Sequence, residues 1–176
     1  MVDCMATLYS KLNQEYPHEC SLLWFHYSSH IELELDGELH NLVCGGRDRY
    51  VHSSASQELR TLSGQGAPYY RVQLGLKEQE YLQLKHALMF KDSNYVTCSS
   101  GIADLLNRTT DIAIPAFQSL LPLGLYSHFW RTKEDSGSRV QHIRYFGVSE
   151  PNTQCMEKMA MPVIAVALFL IMLYLA

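Results

Sequence analysis

The sequence predicts an α+β domain, a small antiparallel sheet packed on helices, followed by a C-terminal transmembrane helix. Three observations point there. Ile31, Leu33 and Leu35 alternate with Glu32 and Glu34 and run into Asp36-Gly37, a strand followed by a hairpin turn. Downstream, the segments 77–90 and 98–106 carry helical signals. Finally, residues 159–176 contain no charge at all.

Taken in order, residues 5–16 suit a short helix stopped by Pro17. Residues 21–35, SLLWFHYSSHIELEL, read as extended, and ELHNLVC returns as the partner strand before Gly45-Gly46 breaks it. PYYRVQLGL, ending at 76, is a further strand. KEQEYLQLKHALMF places Tyr81, Leu84 and Leu88 on one helical stripe. Small polar residues around Cys98 precede an apolar run ending Leu105-Leu106, the pattern of a helix start. IPAFQSLLPLGLYSHFW is apolar and broken by Pro115 and Pro122, as short helices or a membrane-facing surface would be. RTKEDSGSR is a loop and VQHIRYFGV the last strand. The domain is expected over 1–150, a linker over 151–158 and a tail anchor over 159–176.

Composition narrows the class of protein. At 47% hydrophobic and 18% charged, the chain can bury a core of its own. Its net charge is −4 and its basic residues are scattered, so no stripe is present to track a phosphate backbone and nucleic acid is not an expected partner. The N-terminus has an acid at position 3 and no apolar run, unlike a secretory signal. As a helix, MAMPVIAVALFLIMLYLA would be about 27 Å long, matching a bilayer core of about 27 to 30 Å. It is apolar all round, unlike an amphipathic core helix. The expected partner is therefore a lipid bilayer, with the domain tail-anchored and facing the cytosol.

The five cysteines, at 4, 20, 44, 98 and 155, have no CxxC spacing and read as free thiols in a cytosol-facing domain. Cys155, just before the apolar segment, is either a palmitoylation site or an ordinary surface thiol. Cys98 differs from the others in its place at a helix start, where the dipole and free N–H groups favour an anion. A nucleophilic cysteine also needs a base, and usually a group that orients the base. His30 opens a hairpin strand and His40 lies on the returning strand. The two imidazoles share a sheet face only if the loop has an odd number of residues, such as Leu35-Asp36-Gly37; a two-residue Asp-Gly loop sends them to opposite faces. Glu32, Asn41 and His52 compete with His40 for the orienting role. Cys44 is followed by Gly-Gly, not by a helix. His26-x3-His30 and His40-x3-Cys44 have the spacing of zinc pairs on a helix, but on strands it separates ligands by about 13 Å. No metal and no cofactor is expected.

A histidine heading a hairpin, HIELELDGELHNL, followed far downstream by a cysteine opening a helix, YVTCSSGIADLL, resembles the circularly permuted papain-like cysteine enzymes. That group includes the lecithin–retinol acyltransferase-like phospholipase/acyltransferases and bacterial relatives of the NlpC type. The resemblance covers about residues 21–106 and the apolar tail. It implies a permuted papain-like fold, with Cys98 as nucleophile, His30 as base and His40 as orienting group. The acyltransferase branch usually has Asn-Cys-Glu-His-Phe at the nucleophile; here Thr97-Cys98-Ser99-Ser100-Gly101 is closer to bacterial members. The expected activity is that of a membrane-anchored hydrolase or acyltransferase. It would act on an ester or amide, favouring an acyl lipid, through a thioester on Cys98. A membrane-bound thiol protease or deconjugating enzyme acting on a peptide, and a non-catalytic tail-anchored adaptor, are the alternatives.

Overall fold

The computed structural model describes residues 15–42, 51–89 and 97–147, without the side chains of residues 51 and 52. The expected helix over 5–16, the linker and the apolar segment 159–176 lie almost wholly outside these residues. So do Cys4, Cys44 and Cys155. Among the described residues, no helix is long and apolar enough to cross a membrane.

Six strands form one antiparallel sheet in the order β4-β3-β2-β1-β5-β6. They are β1 (His18–Phe25), β2 (His30–Leu35), β3 (Glu38–His40), β4 (Val51–Ser53), β5 (Tyr69–Leu76) and β6 (Val140–Phe146). The helices are α1 (Ser54–Leu62), α2 (Glu78–Met89), α3 (Cys98–Thr109) and α4 (Pro122–Thr132), with a 3-10 turn at Ala116–Gln118. The α+β class and the antiparallel sheet follow the sequence expectation.

Two elements of the strand plan differ from it. The extended run expected over 21–35 is a hairpin, because the chain turns at His26–Ser29 and pairs Phe25 with His30. The Ser28 N–H and hydroxyl both bond the Phe25 carbonyl at 3.2 Å, and Ser29 takes a left-handed φ of 49°. That turn lacks a Gly-Asn or Asp-Gly signature, so periodicity carries straight through it. The second difference is β4 and α1, which sequence patterning did not assign. Helix α1 opens on Ser53, whose side chain accepts the Ser56 N–H at 3.4 Å.

The central strand β1 is flanked on both sides, and six of its eight residues are buried. Its Cys20, Leu22 and Trp24, with Ile31, Leu33 and Leu35 of β2, face the main core. There they meet Leu84 and Leu88 of α2, Ile102 and Leu106 of α3, and Leu125 and Phe129 of α4. Tyr81, expected on the α2 stripe, packs against this core half-buried. The opposite face carries a smaller cluster, Leu23, Phe25, Leu39 and Tyr69. Helix α1 approaches this face, where Glu58 meets Arg71 at 3.6 Å.

A buried ion pair fixes the helical layer to the last strand. Arg139 donates from both terminal nitrogens to Glu80, at 2.9 and 2.8 Å. The same carboxylate accepts the Lys77 N–H at 2.8 Å and the Asp111 N–H at 3.0 Å. Burial pushes the Glu80 carboxyl up, but these N–H groups and the guanidinium outweigh it and hold the group below the usual carboxylate range. One residue thus joins the start of α2, the end of α3 and the approach to β6. Removing one member of a buried pair strands the other charge. Arg139→Ala is expected to lower unfolding stability by about 3 to 5 kcal/mol in urea titrations. Lys85→Ala, which removes an exposed partner of Asp36, should leave the midpoint nearly unchanged.

Candidate active site

Helix α3 begins at Cys98 because Thr97 caps it. Thr97 has extended backbone, with φ −137° and ψ 159°. Its hydroxyl accepts the Ser100 N–H at 3.0 Å, and the Ser100 hydroxyl accepts the Thr97 N–H at 3.1 Å. This reciprocal pair is a capping box with serine at the third position. Ser99 is fully buried, and Ile102, Leu105 and Leu106 drive the helix into the core. The other end is pinned too: Asn107 donates to the Ile114 carbonyl at 3.0 Å and accepts the Ile114 N–H at 2.8 Å.

The thiol meets β2. Among the described residues, β3 pairs with β2 only at positions 33 to 35. The first half of β2, His30 to Glu32, extends past that pairing, and there the Ile31 N–H reaches the Cys98 sulfur. The Ser99 N–H reaches the same sulfur from within the helix. His30, the first residue of β2, is a side-chain hydrogen-bond partner of Cys98, although 68 positions separate them in the chain. On its other side His30 Nε2 lies 3.3 Å from Glu32 Oε1. The β2 pleat places positions 30 and 32 on one face, and Glu32 is mostly buried, its side chain 14% exposed. Stacking on Phe25, with ring centroids 6.2 Å apart, backs the imidazole.

The electrostatics follow from these contacts. Burial pushes the Cys98 thiol up, but the hydrogen bond from His30, the Ile31 N–H, the imidazolium charge and the Ser99 N–H together bring it below the ordinary thiol value. His30 moves the other way, to about 9, because Cys98 and then Glu32 hold its charged form against burial. Each group therefore favours the charged form of the other, thiolate beside imidazolium. Cys20 has the same chemistry and the opposite setting: it is buried beneath the sheet, and burial followed by Glu34 and Glu19 drives its thiol far above the ordinary value. Among the described residues Cys20 and Cys98 are the free thiols, and only Cys98 is activated.

His40 does not take the orienting place. Leu35 pairs directly with Glu38, so the hairpin loop is the two-residue Asp36-Gly37, both with positive φ, 54° and 80°. In that register His40 sits opposite Leu33 and shares its face. His30 and Glu32 lie on the other face. Asp-Gly, the strongest short hairpin signal, won over the three-residue loop that His40 required. His52 stands opposite Leu39 two strands away from β2, with its side chain outside the description, and Asn41 lies beyond the end of β3. Glu32 is the carboxylate that the structure brings to His30.

His26, the other half of a candidate zinc pair, is buried among Trp24, Tyr27, Tyr70 and Tyr145. Among the described residues no cluster of three or more His, Cys, Asp or Glu side chains is placed to hold a metal ion. Of the three side chains brought together here, Cys98 and His30 were expected from the sequence, and Glu32 only as a rival to His40. Sequence reasoning could not find the Ile31 N–H, since a backbone donor leaves no trace in residue type. Comparison with known protein families, curated proteins and solved structures gave no match.

Three outcomes test this site. Cys98 is expected to alkylate with iodoacetamide at lower pH than an ordinary thiol, whose pKa is about 8.5, while Cys20 reacts only on unfolding. In His30→Ala the alkylation profile should move to higher pH, because burial remains and its largest counterweight is gone. Thr97→Ala should cost about 1 kcal/mol of stability, read by urea titration.

Proposed function

We propose that this chain is a membrane-associated cysteine hydrolase or acyltransferase of permuted papain-like architecture, with Cys98 as nucleophile, His30 as acid and base, and Glu32 as orienting group. The observation that carries the proposal is the joined set Cys98–His30–Glu32 at the capped start of α3, polarised toward thiolate and imidazolium. The histidine-before-cysteine order of the resemblance supports the same assignment.

The chemistry follows from the contacts. The Cys98 thiolate attacks the carbonyl carbon of an ester or amide, and the carbonyl electrons move to its oxygen. The Cys98 backbone N–H, at the start of α3, is the donor to that oxyanion. With Nε2 turned to Glu32, Nδ1 of His30 is the nitrogen that exchanges the proton. It protonates the leaving oxygen or nitrogen as the tetrahedral adduct collapses to a thioester on Cys98. Neutral His30 then takes a proton from water or from an acceptor hydroxyl or amine. The resulting nucleophile attacks the thioester, and Cys98 leaves as thiolate beside the regenerated imidazolium. Water as acceptor gives hydrolysis; an alcohol or amine gives acyl transfer. Acyl lipid is the favoured substrate because the uncharged segment 159–176 has the length of a bilayer span and would hold the site beside it.

Activity-based labelling and turnover with lipid and peptide esters test the proposal. Cys98→Ala is expected to lose roughly 10,000-fold or more in kcat/KM while keeping its unfolding midpoint; retained turnover in that variant overturns the enzyme reading. The pH profile of kcat/KM should be bell-shaped. Its acid limb marks protonation of the Cys98 thiolate, and its alkaline limb, near 9, marks loss of the His30 imidazolium. Glu32 raises the His30 pKa, so Glu32→Gln should draw the alkaline limb to lower pH. A limb that stays in place would leave Glu32 a structural residue only.

A further inference from the structure

From Ile112 to Trp130 the chain contains no Asp, Glu, Lys or Arg. In a fold whose interior already holds the other apolar faces, part of this stretch stays outside. Ile112, Ile114, Leu125 and Phe129 are buried in the main core. Phe117, Leu120 and Leu121 are 72%, 54% and 47% exposed. The turn that presents them is built, not loose. Ser119 is buried, its hydroxyl bonding the Ala116 carbonyl at 2.7 Å, and Gln118 donates its N–H to the Pro115 carbonyl at 3.0 Å. Gly124 packs so closely on the Gln118 carbonyl that a Cβ there would lie 2.6 Å from that oxygen. Pro122 then opens α4.

Two other exposed leucines sit among charges: Leu59 lies between Glu58 and Arg60, and Leu82 shares its helix with Glu78 and Lys85. The 116–121 turn has no such company. An aromatic ring and two leucines held outward, without a charge on the element, form a surface suited to the boundary between headgroups and acyl chains.

We infer that the Phe117–Leu121 turn is a membrane-docking surface whose partner is the lipid bilayer into which segment 159–176 inserts. The inference rests on the membrane part of the proposed function and is independent of the thiol chemistry. The chain itself argues for this occupant. Residues 148–158 separate the last described residue from the uncharged segment and span at most about 36 to 40 Å when extended. A bilayer holding that segment therefore lies within reach of the domain surface at all times. With the anchor inserted and the linker short, even a weak contact at the turn meets lipid at a high effective concentration.

Full-length chain reconstituted into phosphatidylcholine vesicles tests the surface, with and without bromine on the acyl chains. Phe117→Trp adds a reporter on the turn, and Leu59→Trp adds one on α1; each is read against the parent. The fluorescence added at 117 is expected to fall by roughly half in brominated vesicles, as for a ring about 5 to 10 Å into the boundary region. The fluorescence added at 59 should stay unchanged. Chain that floats with vesicles but shows equal quenching at 117 and 59 overturns the docking surface and leaves the anchor standing. Chain that does not float overturns both. An emission from 117 already blue-shifted without vesicles assigns the turn to the apolar segment or to a second copy, and also overturns the proposal. None of these results depends on Cys98, so loss of the enzyme reading would be seen separately.

Discussion

The site depends on a mismatch in length between two neighbouring strands. Strand β2 has six residues and β3 has three, and their pairing begins at the shared Asp36-Gly37 turn. The far half of β2 therefore continues where β3 has stopped. A strand edge with free N–H groups attracts a partner, and here the start of α3 supplies it. The Ile31 N–H goes to the Cys98 sulfur, His30 comes to the thiol from the same strand, and the apolar Ile31 side chain stays in the core. A β3 extended by three residues would compete with Cys98 for this edge.

Holding a helix terminus at that edge takes restraint at both ends of α3. At the start, Thr97 and Ser100 satisfy each other's backbone N–H groups. At the end, Asn107 clasps Ile114, and the Asp111 N–H reaches the buried Glu80 carboxylate. Between them the apolar stripe of α3 fills the core against the sheet. The contrast between Cys98 and Cys20 shows what placement alone achieves. One thiol has two N–H donors and an imidazole; the other has apolar walls and neighbouring carboxylates. Residue type is the same, and the thiol pKa moves in opposite directions.

Much of this was legible in the sequence, and the parts that were not have identifiable causes. The alternation at Ile31, Leu33 and Leu35, the stripe through Leu84 and Leu88, and the polar start before Ile102 are period signals, and each gave the right element. The β1–β2 turn was hidden because His26, Tyr27, Ser28 and Ser29 carry no glycine, and Ser29 bears a left-handed backbone that serine seldom takes. Helix α1 was hidden because its exposed Leu59 and Leu62 do not make a buried stripe. In the site, the convergence of His30 and Cys98 was anticipated from their order and settings. The choice between Glu32 and His40 turned on a single residue of loop length, where one step of register reverses a whole face.

His30 and Glu32 stand two positions apart on one strand, so the backbone pleat fixes their mutual placement. Only the contact with Cys98 crosses from one element to another. The two contacts of His30 therefore differ in what they tolerate. A shift of the helical layer by a fraction of an ångström leaves the histidine and its carboxylate together and alters the thiol alone. Thiol acidity becomes a gauge of how tightly α3 rests on the sheet. A substitution buried far from Cys98, at Leu106 or Phe129, would register there as a change in nucleophilicity before any loss of secondary structure.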